Sequence, residues 1–278
     1  MSDEIFIEQL KQQHEASSIK SSNNSQTYPA ETVDLPSKGY FYSESSPLSK
    51  GSIEMKMMTA REEDILTNEN FIKKGIVLDK LLESLIVTPG VNINDLLMVD
   101  KNALFVAARR LAYGDAYGPV KIECRKCNVE NKVTIDLGQL NEKDIDFSAM
   151  ERGVNEFEFQ FPVSKRTIIF KLLTSGDEDA IDRDSKAMAK IKKNITAEVT
   201  TRLKKMIVSL DGKRDPALIT KFVDNELLSR DSMALRGYVK SIAPELDLGF
   251  NFVCENCQNE ERMDVPMTVQ FFWPDAGV

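Results

Sequence analysis

Short runs of alternating apolar and polar residues predict β-strands in two parts of the chain. The run GSIEMKM (residues 51–57) places three apolar side chains on one face, as a half-buried strand requires. The runs EFEFQFP (156–162) and RTIIFKLLT (166–174) also alternate, and together they predict a hairpin that turns at residues 163–165. The pattern therefore indicates a strand near the start of the chain and a strand pair near its middle.

Apolar residues at helical spacing predict helices around these strands. Thr59 followed by Glu62 is a capping-box sequence, which predicts that a helix starts there. Ser175 with Glu178 predicts a second helix start in the same way. The remaining helices are predicted over residues 72–87, 100–113, 195–210, 217–228 and 231–242.

A motif of two cysteines three positions apart occurs twice, as VKIECRKCNVENKVTIDL at residues 120–137 and as FNFVCENCQNEERMDVPM at 250–267. The two copies are offset by 130 residues, and this offset also aligns the flanking apolar positions. The aligned cysteines are Cys124 with Cys254 and Cys127 with Cys257. Each pair lies between two alternating apolar runs, so each predicts a turn at the tip of a β-hairpin.

Two such hairpin tips supply the four thiolate ligands of a tetrahedral structural zinc ion. We therefore predict one structural zinc per chain, bound by Cys124, Cys127, Cys254 and Cys257 in a zinc ribbon that an insertion splits. Arg125 and Lys126 are placed to offset the negative charge of this site.

Two other roles for the cysteines fit less well. A redox pair would require a CxxC that opens a helix, whereas these pairs lie between predicted strands. A catalytic zinc would require an open coordination position, which four thiolates do not leave.

These elements together predict an α+β fold with a helical N-terminal segment, a split zinc ribbon of two β-hairpins and an inserted α+β domain. The first residues are polar and rich in Ser and Asn, which is typical of disorder. The predicted boundaries are a disordered tail at 1–32, a loop and helical segment at 33–119, the first ribbon half at 120–137, the inserted domain at 138–248, and the second ribbon half with a C-terminal strand at 249–278.

Composition narrows the classes of function. The 278 residues carry a net charge of −8, which opposes broad affinity for nucleic acid or anionic lipid. No run approaches the roughly 20 apolar residues of a membrane span. The start of the sequence lacks the basic head and apolar core of a signal peptide, so we expect a reducing cytosol. Arg109 and Arg110 are expected on a solvated helix face.

The sequence also lacks the motifs of common enzyme classes. It contains no GxxxxGK[ST] phosphate loop, no GxGxxG, no GxSxG and no HExxH. The one histidine, His14, lies in the predicted tail. We therefore predict that the protein is not an enzyme.

The segment VDLPSKGYFY (33–42) concentrates a proline, a glycine and three aromatic side chains in a turn-like stretch. Its two interpretations are a loop that anchors the core and a surface that binds a partner. Under the second interpretation the candidate contact residues are Lys38, Tyr40 and Phe41.

Residues 33–273 resemble the baseplate hub and tail-assembly proteins of T-even-type contractile-tailed bacteriophages. The motifs that carry the resemblance are LPSKG, the Tyr113–Gly114 turn and the two CxxC pairs. The resemblance implies a noncatalytic virion or assembly protein, present in the host cytoplasm during assembly. If it is a virion subunit and not only an assembly factor, it also lies in the tail baseplate of the finished particle. Its expected partners are other phage tail and baseplate proteins, with the tape-measure protein as a candidate. The alternative is a zinc-ribbon nucleic-acid-binding regulatory protein.

Overall fold

The computed structural model describes residues 29–191, 198–267 and 269–272. Its mixed α+β architecture confirms the predicted fold class. Most of the predicted tail, including His14, lies outside the described residues, as do residues 192–197. Within those described ranges, no helix has the length and apolar character needed to cross a membrane.

The described part contains nine strands and eight α-helices. The N-terminal elements are β1 (Ala30–Asp34), β2 (Ser52–Lys56), α1 (Ala60–Leu66), α2 (Glu69–Lys74), α3 (Val77–Leu85) and α4 (Met98–Tyr113). The first cysteine hairpin consists of β3 (Ala116–Glu123) and β4 (Glu130–Asp136), and the second of β8 (Gly249–Val253) and β9 (Glu260–Asp264). Between the hairpins lie β5 (Phe157–Gln160), β6 (Thr167–Phe170), α5 (Ser175–Ile191), α6 (Glu198–Met206), β7 (Ile207–Leu210), α7 (Pro216–Asn225) and α8 (Ser229–Ile242).

Four antiparallel sheets connect these strands. β1 pairs with β2, β3 with β4, and β8 with β9, while β5, β6 and β7 form a three-stranded sheet in that order. The predicted hairpin in the middle of the chain is confirmed, with Phe157 opposite Phe170. All four sheets are small, so most of the core forms where helices and loops pack against them.

The buried residues form three clusters. The largest combines the N-terminal helices with β2, both strands of the first hairpin and the aromatic pair Phe271 and Phe272. A second cluster lies inside the predicted insertion, between the three-stranded sheet and α5 to α8. The third is a small cluster around the cysteines, with Ile122 and Phe252 at its centre.

The capping box of Thr59 and Glu62 is confirmed at the start of α1. The single helix predicted over residues 72–87 is wrong, because the chain forms α2 and α3 with a break at Gly75. Gly75 has a φ of 71°, and its N–H donates to the carbonyl of Ile72. A left-handed glycine of this kind ends a helix.

Two further helix predictions need correction. The helix predicted over 195–210 ends at Met206, and the next four residues form β7, which pairs Leu210 with Ile168 of β6. At the start of α5 the capping residue is Thr174, since its hydroxyl accepts the N–H of Asp177 while Asp177 accepts the N–H of Thr174. Ser175 instead accepts a hydrogen bond from buried Lys101 at 2.6 Å.

The two ends of the described chain also differ from the predicted boundaries. Residues 30–32, assigned to the tail, form part of β1. The predicted C-terminal strand is replaced at Val269–Phe272 by a short 3-10 helix, from which Phe271 and Phe272 insert into the main core. Phe271 and Phe272 are therefore buried without belonging to a strand.

Arg109 is not on a solvated face, which corrects its predicted position. It is 2% exposed, and its Nε donates to the carbonyl of Phe271 at 2.9 Å. Its guanidinium lies over the ring of Tyr113, 4.6 Å from the centroid. Arg110 is exposed as predicted and pairs with Asp115.

The LPSKG motif (35–39) is a loop that packs against α4, and four of its five residues are buried. Leu35 and Ser37 are both 0% exposed. Ser37 donates from its backbone N–H and from its hydroxyl to the carboxylate of Asp100 on α4, at 3.0 and 2.7 Å. Tyr42 donates to the same carboxylate at 2.5 Å and accepts the N–H of Leu97. Burial raises the pKa of Asp100 and, together with the neighbouring Asp100 charge, that of Tyr42.

Gly39 lets the loop pass against the segment that follows it. Its φ is 71°, and a Cβ atom there would lie 2.5 Å from the carbonyl oxygen of Ser49 and 2.6 Å from the nitrogen of Gly51. Both neighbours are backbone atoms, which cannot rotate away. The motif therefore requires glycine for a structural reason.

We expect Gly39→Ala to lower the free energy of unfolding by about 2–4 kcal/mol, from the left-handed backbone and the clash together. Gly237→Ala is the matched control, because a Cβ at this position of α8 meets no atom within 4 Å. That variant should gain roughly 0.5–1 kcal/mol from helix propensity. Urea unfolding measures both, and a Gly39→Ala protein as stable as its parent would contradict the assignment.

Candidate metal centre

The two cysteine hairpins repeat each other in strand register. In the first, Ile122 lies opposite Asn131, and in the second Phe252 lies opposite Glu261. Each of these positions is 130 residues from its counterpart. The sequence repeat therefore corresponds to a structural repeat.

The turns that carry the cysteines are also alike. Cys124 donates its N–H to the carbonyl of Val129, and Asn128 donates to the carbonyl of Cys124, at 3.0 and 2.8 Å. The second turn makes the same two bonds between Cys254, Asn259 and Gln258, each at 2.9 Å. Asn128 and Gln258 have positive φ angles of 55° and 54°. These bonds close each turn, and both of its sulfur atoms lie on the side that faces the other hairpin.

The four sulfur atoms lie close together between the hairpins. The Sγ atoms of Cys124 and Cys257 are 3.7 Å apart, and those of Cys127 and Cys254 are 3.6 Å apart. All four lie within 4.8 Å of one another. A tetrahedron of sulfurs around zinc has edges of about 3.8 Å, since each Zn–S bond is about 2.3 Å. The arrangement can therefore hold one tetrahedral metal ion, and its cysteines are free thiols.

The backbone around the sulfurs favours thiolate at two of them. The N–H of Cys257 donates to Cys254 and lowers its pKa to about 6, while a backbone bond at Val129 lowers the pKa of Cys127. Burial and the neighbouring sulfurs raise the pKa of Cys257 to about 12. In the metal-free protein the cluster therefore retains protons, which a metal must displace.

One side chain of the first hairpin, that of Asn131, forms hydrogen bonds with the second hairpin beside the sulfurs. Asn131 is 3% exposed, and its amide oxygen accepts the N–H of Glu255 in the second turn at 2.9 Å. Its amide nitrogen lies 3.6 Å from the Sγ of Cys254. Sequence reasoning did not identify Asn131, although its place four residues after Cys127 in a hairpin strand was visible.

The first turn is held to the second hairpin by an ion pair at the surface. Arg125 lies 2.5 Å from Glu261, the residue that corresponds to Asn131 in the repeat. The Arg125 side chain is 76% exposed. Its charge is thus paired with a carboxylate, whereas the sequence suggested that it offsets the sulfurs.

The three candidate contact residues of the LPSKG loop lie at different depths. Phe41 is 4% exposed and packs against Phe147 and Phe157, so it is a core residue. Tyr40 is half-buried and stacks on Phe147, with its hydroxyl on the carbonyl of Met150. Lys38 is exposed and pairs with Glu142 at 2.7 Å. Of the three, Lys38 is exposed and Tyr40 is partly exposed.

Comparison with known proteins gives one family. The model of the family described as T4 bacteriophage base plate protein matches residues 32–273. No curated protein and no solved structure shows significant similarity to the chain.

We expect Asn131→Ala to weaken metal binding by roughly tenfold or more without removing a ligand, because partners next to the ligands commonly have this effect. Asn251→Ala is the matched control, since Asn251 is an exposed asparagine of β8. Competition with a chromophoric chelator measures both affinities. Equal affinities for the two variants would show that Asn131 does not support the site.

Proposed function

Because this chain belongs to the T4 bacteriophage base plate protein family, we propose that it is a noncatalytic structural or assembly protein of the baseplate hub in a contractile phage tail. The family indicates the virion tail baseplate as its location and other tail proteins as its partners. The observation that carries the proposal is the family match over residues 32–273. We also propose that the protein lies in the hub, that the tape-measure protein is one of its partners and that assembly takes place in the host cytoplasm.

We propose further that the four cysteines bind one structural zinc. The donor set supports this, because four thiolates around one ion leave no open position for a reacting water. Two sulfur separations, 3.6 and 3.7 Å, are close to the edge of a zinc tetrahedron. Cys124, Cys127, Cys254 and Cys257 would be the ligands.

The role of such a metal would be to hold together two distant parts of the chain. The small cluster around the sulfurs has few apolar residues of its own, among them Ile122 and Phe252. A metal bound with on the order of 10 kcal/mol can stabilise a unit of this size. The entropy cost of closing the long intervening loop rises only with the logarithm of its length.

The nucleic-acid-binding alternative has less support. Carboxylates surround both turns, among them Glu123, Glu130, Glu255 and Glu260. Of the two exposed cations of the first turn, Arg125 and Lys126, Arg125 pairs with Glu261. In the two hairpins together acidic side chains outnumber basic ones, whereas a nucleic-acid surface requires a basic cluster.

The zinc proposal predicts close to one zinc per chain in protein purified without added metal. Cys254→Ser should lose the zinc and loosen both hairpins, since they share the ion. Val253→Ser is the matched control, because Val253 is the neighbouring residue and is 47% exposed. Elemental analysis and thermal unfolding measure these effects. A folded, metal-free parent protein, or one that contains iron, would contradict the proposal.

The assembly proposal predicts that disruption of the gene stops baseplate formation while phage heads and DNA replication remain normal. Electron microscopy of infected cells distinguishes this result from normal tails, which would contradict the proposal.

If the LPSKG loop contacts a partner, Lys38→Ala should fail to restore baseplates to the disrupted phage. Glu142→Ala removes the same ion pair from its other side and should restore them. Plaque counts and electron microscopy measure the outcome. Equal failure of both variants would show that the Lys38–Glu142 pair matters for folding rather than for a partner.

A further inference from the structure

A groove runs along one side of α4 and has no occupant among the described residues. Its main part has a volume of about 430 Å³ and lies between α4, β1 and the segment around Leu137 and Leu140. A second hollow of about 310 Å³ continues along α4 past Val99, and Leu246 borders both parts. The groove contains no residue of the cysteine centre, and it borders the LPSKG loop at Glu142, which pairs with Lys38.

The floor of the groove is one stripe of α4. Its members recur at intervals of three and four residues, which places them on a single helix face. They are Val99, Asn102, Ala103, Val106, Ala107, Arg110 and Leu111. From Val99 to Leu111 this stripe is about 18 Å long, at 1.5 Å per residue. Its small and apolar side chains leave room above the helix for another backbone.

One wall of the groove is the free edge of β1. Four consecutive residues of this strand, Glu31 to Asp34, line the groove. Side chains alternate between the two faces of a strand, so a surface lined by four residues in succession runs along the edge. In the described part of the chain β1 has one ladder partner, β2. Its other edge can therefore pair with an added strand.

The rim of the groove is acidic. Glu31 and Asp34 have no ion-pair partner among the described residues, and Glu245 and Asp264 border the second hollow. The lining cation Arg110 is already paired with Asp115. Lys38 and Arg262 likewise pair with the lining carboxylates Glu142 and Asp247. The surface thus combines an apolar floor, a free strand edge and, at Glu31 and Asp34, negative charge that has no ion-pair partner in the described part of the chain.

We propose that this groove binds a cationic segment of a partner protein, which adds as an extended strand to β1 and places alternate apolar side chains on α4. Main-chain hydrogen bonds to the strand edge would provide affinity, and the floor and rim would provide specificity. The identification of the partner as a phage tail protein rests on the proposed function. The presence of the groove and its preference for a cationic strand do not depend on that function.

The negative charge of the rim disfavours two other occupants. Residues 1–28 of the chain contain four carboxylates, Asp3, Glu4, Glu8 and Glu15, against two lysines. A second copy carries the same net charge of −8. Both would bring negative charge to a negative rim, whereas a basic segment complements it.

Synthetic peptides test the proposal with the full-length protein. The probe is a fluorescent nine-residue peptide of alternating Lys and Val, and its control alternates Glu and Val. We expect saturable binding of the cationic peptide, weakened as ionic strength rises, and no binding of the acidic one. A cationic peptide with N-methylated backbone at alternate residues should bind at least tenfold more weakly, because it cannot complete the strand ladder. Absence of cationic-peptide binding, or equal binding after N-methylation, would overturn the proposal.

Variants locate the site. Glu31→Lys with Asp34→Lys should weaken binding at least tenfold, and Ala107→Arg should do the same by filling the floor. Glu151→Lys with Glu158→Lys is the control that matches the charge change of the double variant, because both residues are exposed and neither lines the groove, and its affinity should not change. If the groove variants bind like the parent, the proposal is wrong.

Two further results would also overturn the proposal. Concentration-dependent dimers in sedimentation that Ala107→Arg abolishes would identify a second copy as the occupant. A tenfold gain in peptide affinity for full-length Phe6→Asp would identify the N-terminal segment. The outcome is independent of the assembly role, because normal tails after gene disruption would remove that role without affecting peptide binding.

Discussion

The fold depends on bringing together two hairpins whose cysteines are 130 residues apart. Their sulfurs converge to within 4.8 Å, so the chain between them must leave and return at nearly the same place. Backbone bonds just beyond the hairpins mark that place, from Lys143 to the carbonyl of Glu245 and from Asp247 to that of Asn141. The intervening residues are therefore free to form a core of their own, and they do so around the sheet of β5 to β7.

A second constraint joins the N-terminal loop to the centre of the molecule. Asp100 is completely buried, and its carboxylate accepts bonds from Ser37 and Tyr42. The next residue, Lys101, pairs with Asp79 of α3 at 2.5 Å and donates to Ser175 at the start of α5. Two adjacent residues of α4 thus connect the loop, the N-terminal helices and the insertion. Buried polar groups are costly when unpaired, so this set constrains how the parts pack.

The sequence predicted the elements whose signal is local and repeated. The two hairpins followed from an offset that aligned cysteines and apolar positions together, and the capping box at Thr59 needed only four residues. The errors share a different origin. Residues 207–210 form a short apolar run, which periodicity alone does not assign to helix or strand. Arg109 is buried because aromatic side chains and the carbonyl of Phe271 surround it, and Phe271 lies 162 positions away. The burial of LPSKG likewise depends on Asp100, 63 positions along the chain.

The two cysteine hairpins share a single asparagine. Asn131 donates from its amide nitrogen to the carbonyl of Val129 in the first turn at 2.8 Å, and its amide oxygen accepts the N–H of Glu255 in the second turn at 2.9 Å. The corresponding residue of the second hairpin is Glu261, which pairs with Arg125 at the surface, where such pairs contribute little. The two turns are therefore linked mainly from one side, by a side chain that is not a metal ligand. Part of the spacing between the sulfurs is thus set before any metal binds.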